Sequence, residues 1–230
     1  MSDLNYSDPE YIEAMSHNLA GDWEQAEAAF TKLAAKYPET SVIPLILGNI
    51  HYSLGNLETA VDHYNAAISR RDNYGVAYYK LGVCYYRMGR LQKALEAFES
   101  VLSATSNGKG SHAMASYFVG LISQFLGNDE RAVEAFDAFR RSSKDSLIAN
   151  FYLAQLQIKR KEFAKAKPLL EELVAATPDF AEVHYMLGSV HYGLAENVEA
   201  IHCFRRALDL DPQDERARTK LGLLTEVQWP

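Results

Sequence analysis

Small and apolar residues recur along the chain at a fixed spacing. Alanine occupies one position six times, and the steps between these alanines are 34 residues, except for a third step of 38. The alanines are Ala26, Ala60, Ala94, Ala132, Ala166 and Ala200. A large apolar residue follows each of them four positions later and another apolar residue follows seven positions later, which is one face of a helix. This period predicts a protein built from stacked repeats.

Each repeat is predicted to form two antiparallel helices. The predicted repeats span 7–40, 41–74, 75–112, 113–146, 147–180 and 181–214. When residues are numbered within each repeat, position 8 is always Ala or Gly and lies on a second apolar face. Position 15, between the two faces, is glycine in the first four repeats but Lys161 and Ala195 in the last two. Glycine suits the end of a helix and the tight turn after it, so the pattern indicates helix, turn, helix.

The stretch from Tyr78 to Leu102, YYKLGVCYYRMGRLQKALEAFESVL, carries the pattern most fully. The pattern resembles the tetratricopeptide repeat family over residues 7–212. This resemblance implies an all-α fold, a right-handed α-solenoid of six helix-turn-helix repeats in a single domain over 1–230. The matching positions are packing positions, so they say little about function.

The residues after the sixth repeat are suited to closing the stack. Ala217, Leu221 and Leu224 share one helical face, and charged residues occupy the positions between them. The last unit of a repeat array needs such a polar cover. The sequence therefore predicts a capping helix over 215–228.

The net charge of −7 is concentrated at one end of the chain. Residues 1–40 hold eight acidic residues and two lysines. Nucleic acid is not expected as a partner, because neutralising phosphates needs a basic surface. The acidic first repeat either meets a basic partner or keeps an exposed end soluble.

Targeting and compartment signals are few. The first residues, MSDLNYSDPE, contain no basic stretch followed by an apolar run, and no window approaches 18 apolar residues. The two cysteines, Cys84 and Cys203, fall in different repeats, so free thiols are expected. We expect a cytoplasmic protein without membrane insertion.

No motif predicts catalysis, a cofactor or a metal site. His17, His51 and His191 all fall at position 11 of their repeats and are interpreted as packing residues with a polar edge. The string Ser106 to Ser111 contains Gly-Lys-Gly-Ser but lacks the glycine spacing of a nucleotide loop. It is interpreted as a flexible connector that accounts for the 38-residue step. We expect a protein that is not an enzyme.

The resemblance implies that the first helices line a concave groove through positions 2, 5, 6, 9, 12 and 13. The groove candidates are Asn49, Tyr52, Tyr79, Lys80, Tyr86, Phe118, Phe125, Tyr152, Gln155, Tyr185 and Tyr192. The lysine, asparagine and arginine clamp of chaperone-binding members is absent, and so is the asparagine ladder of members that bind extended chains. The candidates are mainly aromatic, and we expect half of the inner-face aromatics to be core and half to face a ligand.

These candidates predict a protein-interaction adaptor or scaffold. An amphipathic helix or extended peptide would bind between repeats three and six, anchored by Tyr86, Phe118, Tyr152 and Tyr185. Two alternatives stay open. The chain could assemble with itself into an oligomeric scaffold, or it could be a regulatory or substrate-recruiting region of a larger enzyme complex.

Overall fold

The computed structural model describes residues 4–104, 109–143 and 147–226, and these residues form α-helices joined by turns. Contacts divide the chain into two compact units, Met1–Gly127 and Asn128–Pro230. The expectation of an all-α protein is confirmed, since the described residues contain thirteen helices and no strand. That the whole chain forms a single domain stays a prediction.

The first unit contains seven of these helices. They are α1 (Pro9–Ala20), α2 (Trp23–Lys36), α3 (Val42–Ser53), α4 (Leu57–Arg70), α5 (Gly75–Arg87), α6 (Leu91–Ser103) and α7 (Lys109–Phe125). Each helix packs on the next one along the chain, and α5 also contacts α7.

The second unit contains the other six. They are α8 (Asp129–Ser142), α9 (Leu147–Lys159), α10 (Phe163–Ala176), α11 (Ala181–Gly193), α12 (Asn197–Leu210) and α13 (Glu215–Glu226). Consecutive helices again pack together, and α9 also contacts α11. The predicted capping helix is present as α13, which packs on α12; residues 227–230 lie outside the described part of the chain.

The core of each helix pair is made by the repeated small and large residues. All six alanines at position 20 are fully buried, and so is the large residue four positions after each of them. A Cβ atom added to Gly82 would lie 2.8 Å from the ring of Phe98, and one added to Gly188 would lie 2.8 Å from the ring of Phe204. Position 8 must therefore be small, as the sequence predicts, because the aromatic ring occupies the space of its side chain.

The turn inside each pair uses a left-handed residue at position 15. The four glycines there, Gly21, Gly55, Gly89 and Gly127, have φ angles of 71° to 81°. Lys161 and Ala195 adopt the same conformation, with φ angles of 59° and 62°. A residue with a Cβ atom pays about 1–2 kcal/mol for this conformation. The turn geometry is thus kept in all six repeats, and in two of them at an energetic cost.

The connector between the third and fourth repeats is shorter than the sequence predicts. Residues 105–108 lie outside the described residues, but α7 begins at Lys109, so the second half of the stretch from Ser106 to Ser111 is helical. Glycine lowers helix propensity by about 1 kcal/mol without preventing a helix. Gly110 is accommodated at the start of this 17-residue helix.

Buried aspartates fix the first and the last helix. Asp8 caps α1 by accepting a hydrogen bond from the backbone N–H of Glu10. Its Oδ2 atom also pairs with the ammonium of Lys36 and accepts from the Tyr37 hydroxyl, each at 2.8 Å. Asp214 precedes α13 and accepts from the backbone N–H groups of Arg216 and Ala217, at 2.9 and 3.2 Å. These are N-cap interactions, which satisfy helix donors that have no intrahelical partner.

Candidate functional site

An aromatic cluster lies on the first helices α5 and α7 of the first unit. Phe118 stacks on the buried ring of Phe98, with ring centroids 4.8 Å apart, and Tyr79 meets both rings edge-on. Tyr86 contacts Phe118 from the solvent side, at 5.3 Å. Phe118 and Tyr79 are therefore half-buried packing residues, whereas Tyr86 leaves 39% of its surface exposed.

The end of this cluster opens into a cavity of about 760 Å³, which we call the apolar pocket. It is lined by Tyr86, Gly89, Leu91, Leu121, Ile122, Gln124 and Phe125. None of these residues is charged, and Phe125 leaves 78% of its surface in solvent. The apolar pocket thus combines open volume with exposed aromatic area that the helix pairs do not use for packing.

The other candidates of the first unit lie outside the lining of the apolar pocket. Asn49 accepts a hydrogen bond from the hydroxyl of the buried Tyr64, at 3.0 Å, and so satisfies a core polar group. The guanidinium of Arg87 lies over the ring of Tyr52, 4.6 Å from its centroid. Lys80 is half-buried on α5.

In the second unit, the candidate tyrosines pack in the same way. Tyr152 stacks on Phe136, with centroids 4.9 Å apart. Tyr185 leans on Phe204 at 5.9 Å and carries the guanidinium of Arg216 on its other face at 4.3 Å. Gln155 is half-buried on α9. One face of each of these tyrosine rings thus packs on a buried aromatic residue of the core.

A second cavity, of about 630 Å³, opens beside Tyr185, and we call it the lysine pocket. It is lined by Ile158, Lys159, Lys161, Phe163, Tyr185, Ser189, Tyr192, Gly193 and Lys220. Tyr192 is 41% exposed, and the ammonium of Lys220 lies 4.9 Å from its ring centroid. This pocket therefore has aromatic walls and three cationic side chains among its lining residues.

The floor of the lysine pocket depends on a glycine. A Cβ atom added to Gly193 would lie 2.5 Å from the ring of Phe163, so the ring packs directly on the backbone of α11. In the apolar pocket, the equivalent positions hold Phe125 and Leu91. The aromatic residue is thus at position 13 in the apolar pocket, as Phe125, and at position 17 in the lysine pocket, as Phe163.

The two pockets form at the same places in the repeat. In both units, positions 12, 15 and 17 of one repeat face positions 9, 12 and 13 of the next. The turn residue at position 15 is Gly89 in the apolar pocket and Lys161 in the lysine pocket. Tyr86, Phe125 and Tyr192 are predicted from the sequence by their inner-face positions. Lys161 is not, because position 15 predicts only the turn, and Lys220 is not, because the pattern of α13 predicts only a capping helix.

Nearby acidic groups are occupied by cations other than Lys161 and Lys220. Lys159 is paired with Asp129 at 2.6 Å, Glu196 with Lys167 at 2.8 Å, and Glu182 with Arg216 at 2.5 Å. Within the described residues, no carboxylate lies within 4 Å of the ammonium of Lys161 or Lys220. Two positive charges of the lysine pocket are therefore without a carboxylate partner in this part of the chain.

His51, His191 and both cysteines take part in packing. His51 is buried and stacks on His63, with centroids 5.1 Å apart, and burial lowers the pKa of His63. His191 is buried with Nδ1 2.5 Å from a carboxylate oxygen of Glu196.

Burial raises the pKa of both free thiols, Cys84 and Cys203, to about 11. Among the described residues, no cluster of three His, Cys, Asp or Glu could hold a metal ion. In the same part of the chain, no helix has the length and apolarity needed to cross a membrane.

Comparison with known proteins agrees with the repeat geometry. Tetratricopeptide repeat family models match residues 11–40, 39–107, 127–190 and 181–214. Among curated proteins, the chain is 30% identical to Superkiller complex protein 3 from Homo sapiens over 97 residues, 42% of this chain and 6% of that protein. It is 25% identical to Anaphase-promoting complex subunit 3 from Schizosaccharomyces pombe over 226 residues, 92% of this chain and 33% of that protein. The chain thus spans a third or less of the length of these two relatives.

Solved structures share the fold. The structure of YrrB superposes with a TM-score of 0.73 at 20% identity, covering 83% of this chain and 96% of YrrB. A MamA structure superposes with a TM-score of 0.66 at 20% identity, covering 76% of this chain and 94% of MamA. Buried alanines, ring-on-glycine packing and left-handed turns recur in the structure with the period of the sequence repeat. The chain belongs to the tetratricopeptide repeat family and shares its all-α fold of repeated helix pairs.

Proposed function

We propose that this protein is a non-catalytic scaffold or adaptor that holds an apolar or amphipathic segment of a partner protein against the first helices of its repeats. The observation that carries the proposal is the apolar pocket, where Tyr86 and Phe125 leave 39% and 78% of their surface in solvent around an open cavity. Exposed aromatic area beside a cavity is typical of recognition surfaces.

The size and chemistry of the apolar pocket suit an apolar side chain. Its volume of about 760 Å³ is within the range of sites that bind small molecules or anchoring side chains. Leu91 and Leu121 supply aliphatic walls, and Gln124 is the only side chain with an amide. Binding there would remove aromatic surface from water at little cost in rotamer entropy, because Tyr86 and Phe125 have few rotatable bonds.

Proteins with related sequences or the same fold support this proposal. YrrB is described as a tetratricopeptide repeat protein with an unusual peptide-binding site, so the fold is compatible with peptide binding. The two curated relatives are named as members of the superkiller and anaphase-promoting complexes. A role in assembling a protein complex is consistent with both names.

The exposed rings are better anchor candidates than the stacked ones. Phe118 and Tyr152 each stack on a buried ring, so their truncation would disturb the helix pairs as well as a ligand. Truncation of Tyr86, Phe125 or Tyr192 should disturb the helix pairs less, because these rings are more exposed. Engagement of one segment across repeats three to six stays a prediction.

The proposal is tested by selecting short random peptides, displayed on phage, against the full chain. The double variant Tyr86→Ala/Phe125→Ala should lose the peptides that carry apolar anchors, while its circular-dichroism spectrum and melting stay close to those of the original chain. Leu19→Ala is the matched control, since Leu19 is an 80% exposed apolar residue of the same unit that does not line the pocket. Equal capture by the double variant and the control would contradict the proposal.

A further inference from the structure

The lysine pocket differs from the apolar pocket in charge, although the two form at the same repeat positions. Lys161 replaces the turn glycine, and Lys220 reaches the pocket from α13. Both side chains lie in a lining that also contains Phe163 and Tyr192. The second unit therefore offers apolar contact and positive charge in one cavity.

The charges of this pocket are available to a ligand. Lys161 is exposed, and Lys220 rests on the exposed ring of Tyr192. Several carboxylates of the neighbouring helices and turns are paired with other cations, as Glu162 is with Lys165 at 2.8 Å. A cation near an aromatic face and without a carboxylate partner favours an incoming anion, and partial burial strengthens the attraction.

The backbone of Lys161 keeps the turn conformation although the residue has a Cβ atom. Its φ angle of 59° is in the left-handed region, which glycine occupies in the first four repeats. A lysine in this conformation is less favourable than a glycine, so its backbone energy must be separated from the effect of its charge. Ala195 has the same backbone conformation without a charge and does not line the pocket. It is therefore a matched reference for the backbone effect alone.

We propose that the lysine pocket binds an acidic peptide segment of a partner protein, in which carboxylate side chains flank an aromatic or aliphatic residue. The apolar residue would enter between Phe163, Tyr192 and Ile158, and the carboxylates would pair with Lys161 and Lys220. This inference rests on the proposed scaffold function, because it names the chemistry of the partner at one of the two pockets.

Charge complementarity argues for an acidic partner segment as the occupant. The cavity of about 630 Å³ exceeds the volume of a single carboxylate and leaves room for an apolar side chain beside it. An apolar segment alone would leave Lys161 and Lys220 without counter-charges while covering Lys220 from water, which is unfavourable. A segment with both an apolar side chain and carboxylates would contact the aromatic walls and also pair with the two lysines.

The test uses the same phage-displayed random peptides and the full chain. Selection should enrich peptides with Asp or Glu next to an aromatic or aliphatic residue. The variant Lys161→Gly/Lys220→Gln should weaken the binding of the enriched peptides roughly tenfold, as expected for two partly exposed ion pairs. Ala195→Gly should leave their affinity unchanged. Raising NaCl from about 0.1 M to about 1 M, which shortens the Debye length from about 10 Å to about 3 Å, should weaken binding to the original chain.

Other outcomes overturn the inference in distinguishable ways. If acidic peptides are enriched but bind the lysine double variant equally well, the pocket assignment is wrong. If only apolar peptides are enriched, and they are lost in Tyr86→Ala/Phe125→Ala, the inference fails while the scaffold function stands. If no peptide is enriched, both fail. If light scattering shows dimers of the chain alone that the lysine variant dissociates, the occupant is a second copy and the inference is wrong.

Discussion

At the scale of single residues, position 15 shows how one backbone conformation can serve two purposes. Glycine there makes the turn at the lowest cost, as in Gly55 and Gly89, which have open space around the missing Cβ atom. Lys161 keeps the turn and adds a charge at the edge of a pocket. The sequence shows this replacement but not its consequence, because the direction of the side chain depends on the fold.

Replacing Lys161 with glycine should stabilise the protein. The left-handed conformation costs a residue with a Cβ atom about 1–2 kcal/mol, and glycine removes this cost. Glycine also has more freedom in the unfolded chain, which lowers the stability of the folded protein by about 0.5–1 kcal/mol. We expect a net gain of about 0.5–1 kcal/mol in the free energy of unfolding, measured by urea denaturation. Ala195→Gly should give a gain of similar size. A loss of stability in both variants would contradict the proposed strain.

At the scale of the helix pair, the close approach of two helices depends on the small residue at position 8. Gly82 faces the buried ring of Phe98, and the same contact joins Gly48 to Tyr64. The ring fills the space of the absent side chain, so the helices can lie closer than two ordinary residues would permit. The sequence predicts this contact because both residues fall within one repeat and recur with its period.

Gly82→Ala should overpack this contact. The added Cβ atom would lie 2.8 Å from the Phe98 ring, so the ring or the helix must move, at a cost of about 1–3 kcal/mol in the free energy of unfolding. Combining it with Phe98→Leu removes the overlapping ring. The double variant should therefore be more stable than the sum of the two single losses predicts. If urea denaturation showed that the losses of unfolding free energy in the two single variants simply add in the double variant, overlap with the Phe98 ring would not be the cause of the Gly82→Ala effect.

The last helix should depend on Asp214 in a pH-dependent manner. Arg216 and two backbone N–H groups hold the pKa of the Asp214 carboxyl below its usual value of 3.8. The charged form is therefore favoured by folding, so its contribution is complete above about pH 4 and is lost as pH falls through the lowered pKa. Asp214→Ala should cost about 1 kcal/mol at pH 7, as loss of an N-cap does.

Urea denaturation at neutral and acidic pH tests this dependence. The difference in unfolding free energy between the original chain and Asp214→Ala should shrink as pH falls below 3.8. Asp211→Ala, which changes an exposed aspartate in the same turn, is the control. A difference that stays constant with pH would mean that the carboxylate charge contributes nothing.

At the scale of the whole molecule, the fold could be predicted more completely than the binding surfaces. The period of alanines, the glycine turns and the apolar faces specify the thirteen helices found in the described residues, because helix pairing is decided by residues close in sequence. The pockets need positions from two successive repeats and, for Lys220, from the capping helix. Which aromatic rings stack and which stay exposed depends on that packing, so inner-face position alone does not separate Phe118 from Phe125.

The central claim is that partner segments bind on the first helices, at the apolar pocket or the lysine pocket. A crystal structure of the full chain with a peptide selected from the random library tests it most directly. Peptide density is expected against Tyr86 and Phe125, or against Tyr192, Lys161 and Lys220. A peptide bound only to the second helices of the repeats, away from both cavities, would contradict it.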